Sequence, residues 1–485
     1  MKPDLKPKPA SAFSVLMSGN AERERAAWTE AQVAEDPNFR PTKTERRKAP
    51  FYKILTGMPI AVDAFRYGTI PGVEAYFLTH AHSDHYTNLS SNWKSGPIYC
   101  SETTANLIAH MLSVDRKWLH PLPMNTPVEV PNTGGVKVTL LDANHCPGSC
   151  LFLFEGSQTT NAGDSTYKSP FVGTSRTFRY LHCGDFRASP QHVLHPSVKG
   201  KRLDTVYLDT TYLNPRYCFP PQPLVVSACA ELARRIVNGE PLDSDNGKGS
   251  SNGKASIQEW MKTGEGKGKQ RAQKDGEVLI VVGTYSIGKE RVVKAIAKAL
   301  NTKVYCDSRK VAILHCQDDP ELHALLTDKP LEAGVHVVPL GQVASDRFKE
   351  YMDRWKGRWS RAVAFRPTGW TYSPPVGSDP MPPISRVVAA AQARDFTYAH
   401  LRPARNSTAQ FMQYGVPYSE HSSFAELACF ALSVDCARII ATVNVGSAVA
   451  RAKMQKWIER WEVERKRRRE AGLPAVVEYR NLEYW

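Results

Sequence analysis

The chain has 485 residues, 42% of them hydrophobic, which is enough for two or three domains with real cores. No run of 18 apolar residues and no apolar amino-terminal stretch is present, so we expect neither a membrane span nor a secretory signal. Ten cysteines without a C-x-x-C pair argue against a zinc ribbon or a disulfide framework, and the net charge of +15 favours a polyanionic partner, nucleic acid first.

The first 48 residues are predicted to be a disordered basic tail. They are polar, contain several prolines and end in the basic cluster Arg46-Arg47-Lys48. Ordered structure should therefore begin at residue 49. Asp63 lies soon afterwards among apolar neighbours, where a carboxylate is either a surface group or a group that hydrogen-bonds a metal ligand.

Three histidines and an aspartate follow a predicted buried strand at residues 75–78. Imidazole and carboxylate are the ligands that zinc and similar ions take at catalytic sites. In an extended segment the side chains at i and i+2 point the same way, so His80 and His82 can bind one ion. A turn after them would aim Asp84 and His85 at a second ion. The spacing therefore predicts a metal site rather than a polar loop that is rich in histidine.

Other predicted strands also end in a histidine or a carboxylate. His145 follows a strand at residues 136–141, Asp185 follows the strand that begins at Tyr180, and Asp209 ends a strand that begins at Val206. In layered α/β proteins, rigid strands deliver side chains to one rim of the fold. These strand ends predict an α/β protein with one composite site.

Two later stretches suggest sites for a phosphate. A predicted strand at residues 277–282 leads into a glycine-flanked turn with Ser286 and Lys289, followed by a helix, although tight packing alone explains this pattern equally well. Ser422 or Ser423 would cap a helix that begins at Phe424 and leave amides free for an anion.

Two segments have the composition of insertions. Residues 156–178 are rich in serine, threonine and glycine and are predicted to form a long surface loop. Residues 242–275 are of low complexity and are predicted to be flexible.

Taken together, these residues resemble a known family. His80-Ala81-His82-Ser83-Asp84-His85, with His145 and Asp185, resembles the H-x-H-x-D-H motif, lone histidine and lone aspartate of the metallo-β-lactamase superfamily. Residues 207–212, 282–290, 364–370 and 418–423 resemble its β-CASP branch and, within that branch, the DNA interstrand cross-link repair exonucleases. The resemblance runs in pieces from about residue 50 to 450.

The resemblance implies a fold and a division into domains. The fold is an αββα sandwich formed by residues 49–215 and 398–485, with an α/β β-CASP domain at residues 216–397 inserted between them. Val445 falls where DNA-directed members carry valine and RNA-directed members carry histidine.

The resemblance also implies the roles of individual residues around one or two zinc ions. His80, His82 and His145 hold one ion, Asp84, His85 and His421 hold or nearly hold a second, and Asp185 bridges them. Asp63 orients the metal loop, and Asp209 falls on the first acidic motif of the β-CASP branch. The catalytic set is therefore expected to be Asp63, Asp84, Asp185, Asp209 and His421.

The implied activity is a nuclear 5′-to-3′ exonuclease that acts on single-stranded or double-stranded DNA with a 5′-phosphate. Ser286, Lys289, Ser422 and Ser423 are the candidates for seating that phosphate, and other repair proteins are candidate partners. Three alternatives stay open: a structure-selective DNA endonuclease or telomere-end-processing nuclease of the same group, an RNA-processing β-CASP nuclease, and a non-catalytic scaffold.

Overall fold

The computed structural model describes residues 12–36, 46–242, 278–343, 345–355, 357–373, 379–408 and 410–485. The predicted flexible insertion at residues 242–275 lies, apart from its first residue, outside them. Within the described residues, no helix combines the length and the apolar character that crossing a membrane requires.

The first sheet contains four parallel strands in chain order: β1 (Ile60–Val62), β2 (Ala75–Phe77), β3 (Ile98–Ser101) and β4 (Leu119–Leu122). Its two faces belong to different cores, because alternate residues of a strand point to opposite sides. Ile60 and Val62 face the second sheet, whereas Ala61 lies in the core beneath helix α2 (Glu102–Leu112). Ser101 caps α2, because its hydroxyl accepts a hydrogen bond from the Thr104 amide at 3.2 Å.

The second sheet has six strands in the order β16-β9-β8-β7-β6-β5. They are β5 (Val128–Glu129), β6 (Lys137–Asp142), β7 (Cys150–Ser157), β8 (Thr177–His182), β9 (Thr205–Leu208) and β16 (Ile439–Ala441). The Phe77 ring of the first sheet lies 5.2 Å from Phe152 and 4.9 Å from Phe154, so the two sheets pack face to face. Strand β16 pairs in parallel with β9, so the sandwich contains both an early and a late part of the chain.

Helices cover the outer side of the second sheet. They are α3 (Pro190–Leu194), α10 (Phe424–Ser433) and α11 (Ala448–Glu470). Phe186, which follows β8, meets Phe430 of α10 at 5.1 Å, and Phe424 meets Trp457 of α11 at 4.7 Å. The layers are therefore helix, sheet, sheet and helix, which confirms the predicted αββα sandwich.

The third sheet consists of six parallel strands in the order β12-β11-β13-β10-β14-β15. They are β10 (Val278–Thr284), β11 (Val304–Tyr305), β12 (Leu326–Thr327), β13 (Val335–Pro339), β14 (Arg361–Pro367) and β15 (Phe411–Val416). All seven residues of β10 are buried, as expected for a central parallel strand with both faces covered. Helices α4 (Gln222–Asn238) and α5 (Glu290–Ala299) cover one face, and α8 (Ser345–Asp353) covers the other.

The predicted division at residue 397 is wrong. Strand β15 lies beyond it, yet pairs with β14 in the third sheet. Conversely, helix α9 (Ile384–Gln392) lies before it, yet Ile384 and Val387 belong to the core of the sandwich. The remaining short helices, α6 (Ser308–Leu314) and α7 (Pro320–Leu325), lie beside the third sheet.

The prediction of disorder before residue 49 is wrong for helix α1 (Ala12–Ala34). Ala27 and Ala31 of this helix are buried, and the Trp28 ring contacts Phe51 at 4.8 Å and Tyr52 at 5.6 Å. Alanines provide most of the buried face, so the segment shows no strong apolar stripe in the sequence.

The predicted loop at residues 156–178 is shorter than expected, because β7 continues to Ser157 and β8 begins at Thr177. It packs onto the fold, and the Ser165 hydroxyl donates a hydrogen bond to Glu30 of α1 at 2.9 Å.

Candidate metal centre

The site lies at one rim of the sandwich, where several strands end. The histidine cluster follows β2, His145 follows β6, Asp185 follows β8 and Asp209 follows β9. The rims of the two sheets are joined there, since the Cys150 amide donates to the Thr79 carbonyl at 3.0 Å. The predicted convergence of strand ends is therefore present.

One carboxylate oxygen lies among four imidazoles. Asp185 Oδ2 is 3.1 Å from His85 Nε2, 3.7 Å from His80 Nε2, 3.8 Å from His421 Nε2 and 3.9 Å from His145 Nε2. The possible ligand atoms form three groups, and within each group they all lie within 4.8 Å of one another. The groups are His80, His82, His145 and Cys146; His80, His85 and Asp185; and His145, Asp185 and His421. Six of the seven predicted ligands are thus brought together.

One buried nitrogen of the cluster fits a metal ion. His80 Nε2 is inaccessible to solvent and has no hydrogen-bond partner, an arrangement that is costly unless a cation accepts the lone pair. His82 faces the centre with its other nitrogen, since Nδ1 lies 3.1 Å from His145 Nε2. Thr79 supports this assignment for His80. Its hydroxyl donates to Asp63 at 2.8 Å, so it accepts from His80 Nδ1 at 2.9 Å and leaves the lone pair on Nε2.

The imidazoles of the cluster differ in charge. Burial lowers the pKa of His80 well below its usual value and that of His145 to about 3, so both are neutral ligands at physiological pH. Burial also lowers the pKa of His421, but Asp185 and Asp209 outweigh it and raise that pKa to about 9. An ion bound there must displace a proton.

Asp84 and Cys146 depart from the predicted ligand set. The Asp84 side chain is 76% exposed, its Oδ2 is 3.7 Å from His85 Nε2, and it belongs to none of the three groups. Cys146 was not predicted, and burial raises the pKa of its thiol well above the usual value. A protonated thiol is a poor ligand, so its proximity does not add it to the set.

Asp63 is a buried partner of the histidine loop, not a surface group. Its carboxylate accepts from His85 Nδ1 at 2.7 Å, from the Thr79 amide at 2.9 Å and from the Thr79 hydroxyl. Burial alone would raise the pKa of this carboxyl, but the neighbouring His85 lowers it. The arrangement fixes the orientation of His85 from behind.

Asp209 occupies the same position behind His421. Its Oδ2 accepts from His421 Nδ1 at 3.0 Å, and Oδ1 accepts from the Thr211 amide and hydroxyl at 2.9 Å and 2.6 Å. Asp209 is 1% exposed and therefore acts through His421 instead of touching a substrate.

Replacing Asp209 by asparagine should lower the rate of catalysis roughly 10- to 100-fold without abolishing it, the usual effect of removing a group behind a metal ligand. The amide keeps the shape but holds His421 less strongly. Steady-state kinetics with saturating added metal would check this result. Asp204→Asn, at the other end of β9, is the matched control, and equal rates for the two variants would contradict the role.

Sequence reasoning missed Glu420 and Arg187. The Glu420 carbonyl accepts from His145 Nδ1 at 2.8 Å, and its buried carboxylate accepts from the amide and the ammonium of Lys289 at 2.6 Å and 3.1 Å. The buried Arg187 donates to the Ser419 carbonyl at 2.6 Å and pairs with Glu426 at 2.8 Å. Two signals pointed to Glu420: it lies within residues 418–423, which resemble the β-CASP branch, and it is a charged residue beside a predicted ligand histidine.

Comparison with known proteins agrees with this geometry. A family model described as DNA repair metallo-beta-lactamase matches residues 320–447, and one described as Beta-lactamase superfamily domain matches residues 58–238. The DNA cross-link repair protein SNM1 of Arabidopsis thaliana is 37% identical over 417 residues, which cover 86% of this chain and 70% of that protein. The chain belongs to the metallo-β-lactamase family of DNA cross-link repair proteins.

This chain spans a smaller share of the length of two other relatives. The DNA cross-link repair protein pso2/snm1 of Schizosaccharomyces pombe is 40% identical over 423 residues, which cover 87% of this chain but 66% of that protein. The 5' exonuclease Apollo of Gallus gallus is 28% identical over 377 residues, which cover 78% of this chain and 60% of that protein. The resemblance proposed from the sequence is confirmed at the level of the family.

A cavity of about 400 Å³ opens onto the metal centre. It is lined by His82, Asp84, His145, Asp185 and His421, and also by Tyr285, Ser286, Lys289 and Trp370. Ser286 and Lys289 therefore stand where a phosphate beside the metal centre could reach them.

The prediction that Ser422 and Ser423 seat a phosphate is wrong for this geometry, since both are buried and lie outside the cavity lining. The Ser422 hydroxyl donates to the Phe186 carbonyl at 2.8 Å. Ser423 caps α10 with its hydroxyl, as predicted, but its own amide donates to Glu426 at 2.7 Å. The capping box occupies the amides of Ser423 and Glu426, and the Phe424 amide donates to the Tyr217 carbonyl at 3.1 Å, so these three amides are not available to an anion.

Proposed function

We propose that the chain is a metal-dependent nuclease that hydrolyses DNA phosphodiester bonds from a 5′ end and acts in interstrand cross-link repair in the nucleus. The observation that carries the proposal is the convergence of five histidines and Asp185, distant along the chain, at one rim of the sandwich. The names of the related cross-link repair proteins and of the 5' exonuclease Apollo support the substrate and the direction.

Zinc is the ion that suits this donor set of imidazole and carboxylate. His80, His82 and His145 would hold one ion, His85 and His421 with Asp84 would hold a second, and Asp185 would be shared. When bound, such ions supply Lewis acidity toward phosphate oxygens and make water nucleophilic near neutral pH.

The residues of the chain position these ligands before any substrate arrives. Asp63 holds His85, Asp209 holds His421, and the Glu420 carbonyl holds His145. Each hydrogen bond selects which ring nitrogen faces the centre. A scissile phosphate in the cavity would therefore meet a fixed set of groups, and little reorganisation would be needed during the reaction.

The basic surface is proposed to bind the rest of the strand through its phosphates, largely regardless of sequence. Ser286 and Lys289 are the remaining candidates for the terminal 5′-phosphate. Lys289 already pairs with Glu420, so its charge is partly compensated and the exposed Ser286 is left as the less constrained partner.

The direct test is metal analysis by mass spectrometry together with nuclease assays of the purified chain. Bound zinc, with faster cleavage of 5′-phosphorylated than of 5′-hydroxyl single-stranded DNA, is the expected result. Oligonucleotides with a blocked 5′ end would reveal endonuclease action, and RNA of the same sequence would reveal an RNA-processing enzyme. Cleavage of blocked DNA at the rate of unblocked DNA would overturn the proposed direction.

Asp84 provides the sharpest single-residue test of the second ion. Asp84→Asn should lower cleavage by at least roughly 100-fold while DNA binding stays largely intact, because the exposed side chain supports no packing but faces the cavity beside His85. Asp435→Asn is the control, because Asp435 is a surface aspartate whose side chain is half exposed. A wild-type rate for Asp84→Asn would remove Asp84 from the metal set.

A further inference from the structure

Two exposed aromatic side chains stand at the cavity that opens onto the metal centre. Among the residues that the structure describes, four large aromatic residues are exposed: Phe171, Tyr285, Trp370 and Tyr479. Tyr285 and Trp370 both line this cavity, and Trp370 is 70% exposed. An indole of that exposure beside the metal centre offers a large apolar face that a ligand in the cavity could cover.

Backbone and ring contacts fix the position of Trp370 on the surface. It lies in the short 3₁₀ helix Gly369–Thr371, where the Thr368 side chain accepts a hydrogen bond from the Trp370 amide. The Thr368 amide in turn donates to the Val416 carbonyl of β15 at 3.0 Å. The Tyr212 and Tyr217 rings meet the indole at steep angles, with centroids 5.8 Å and 6.1 Å away.

The backbone beside Trp370 is fixed by close packing. A Cβ atom at Gly369 would lie 2.6 Å from the Tyr212 hydroxyl oxygen, so only glycine allows this approach. Tyr212 also contacts His421, with ring centroids 6.0 Å apart. The exposed indole is therefore coupled through a single tyrosine to a residue of the metal centre.

We propose that Trp370 is a positioning residue that stacks on the 5′-terminal base of the DNA strand and thereby sets the scissile phosphate at the metal centre. The inference rests on the proposed nuclease function. Every base has an aromatic face, so stacking on a tryptophan is tolerant of sequence, as an exonuclease that proceeds along any strand requires. It also requires an unpaired terminal base, so the enzyme should prefer frayed or single-stranded ends.

The first experiment is a cycle that combines two enzymes with two substrates. Wild-type protein and Trp370→Ala would each be assayed on a 5′-phosphorylated strand and on the same strand with an abasic 5′-terminal nucleotide. Either change alone should lower kcat/KM by roughly 5- to 100-fold, the range expected for one lost base stack. The kcat/KM of Trp370→Ala should then be the same with and without the terminal base. Trp370→Phe should retain most of the wild-type kcat/KM.

Equal sensitivity of wild-type protein and Trp370→Ala to base removal would overturn the proposal, since a purely structural role would lower both substrates alike. Tyr479→Ala, which removes an exposed aromatic side chain outside the cavity, is the matched control and should behave as wild type.

A binding measurement separates this inference from the proposed function. 2-Aminopurine at the 5′ terminus of a strand with cleavage-resistant phosphorothioate linkages should lose fluorescence on binding to wild-type protein and not on binding to Trp370→Ala. A second set of strands would carry 2-aminopurine at an interior position. Loss of fluorescence only with these strands, or an equal loss with the two proteins, would overturn the stacking. If the wild-type protein binds with this signal but cleaves no DNA, the proposed nuclease function fails and the base-stacking contact stands.

Discussion

Replacing Asp185 by asparagine should abolish metal binding and should lower the rate of DNA cleavage by about 1,000-fold or more. The Asp185 oxygen is the only carboxylate oxygen, among the described residues, that belongs to two of the three groups of possible ligand atoms. Asparagine keeps the shape but removes the negative charge that would balance ions among neutral imidazoles. Losing several kcal/mol of transition-state stabilisation corresponds to such a factor, because each 1.4 kcal/mol is tenfold.

The measurement pairs metal content with single-turnover cleavage, so that loss of metal and loss of chemistry are seen separately. Asp204→Asn is the matched control, because Asp204 and Asp209 flank the same strand, β9, at opposite ends. The control should keep its metal and its rate. If Asp185→Asn retains a full complement of metal and wild-type cleavage, the metal centre around Asp185 is not the catalytic one.

Those parts of the site that lie at strand ends could be predicted from the sequence. His145, Asp185 and Asp209 each follow an apolar run, and the carboxyl ends of β6, β8 and β9 share one edge because these strands point the same way. The sequence alone left Asp63 ambiguous between two environments. Only the fold shows that it is buried against His85, since that contact joins residues 22 positions apart.

The errors have a common physical cause, namely that tertiary contacts overrule local patterns. Strand β15 contains Gln413 and Gly415 and carries a weak strand signal, yet the neighbouring β14 recruits it into the third sheet. Ser422 and Ser423 were predicted to face a phosphate, but Phe186 and Glu426 occupy their donors. Sequence alone could not show which polar groups were already satisfied within the fold.

Lys289→Met should destabilise the protein by about 3–5 kcal/mol, because it leaves the Glu420 carboxylate buried without its cation. The ammonium lies 3.1 Å from Glu420 Oε2, and both side chains are almost fully buried. The Glu420 carboxylate also packs closely against the Gly288 backbone, since a Cβ atom on Gly288 would lie 2.7 Å from it. The carboxylate therefore has little room to move toward another partner. The double variant Lys289→Met/Glu420→Gln should recover much of the loss, because no buried charge remains unpaired.

Denaturant unfolding measures these free energies, and Lys298→Met is the matched control. Lys298 lies near the end of α5 and pairs with Glu321 of α7, but both side chains are about half exposed, so its loss should change the free energy of unfolding far less than Lys289→Met does. The double variant also separates two roles of Lys289. If Lys289 seats the 5′-phosphate, the ratio of kcat/KM for 5′-phosphorylated over 5′-hydroxyl DNA should collapse even though stability is restored. An unchanged ratio would assign Lys289 to the fold alone and leave the phosphate to Ser286.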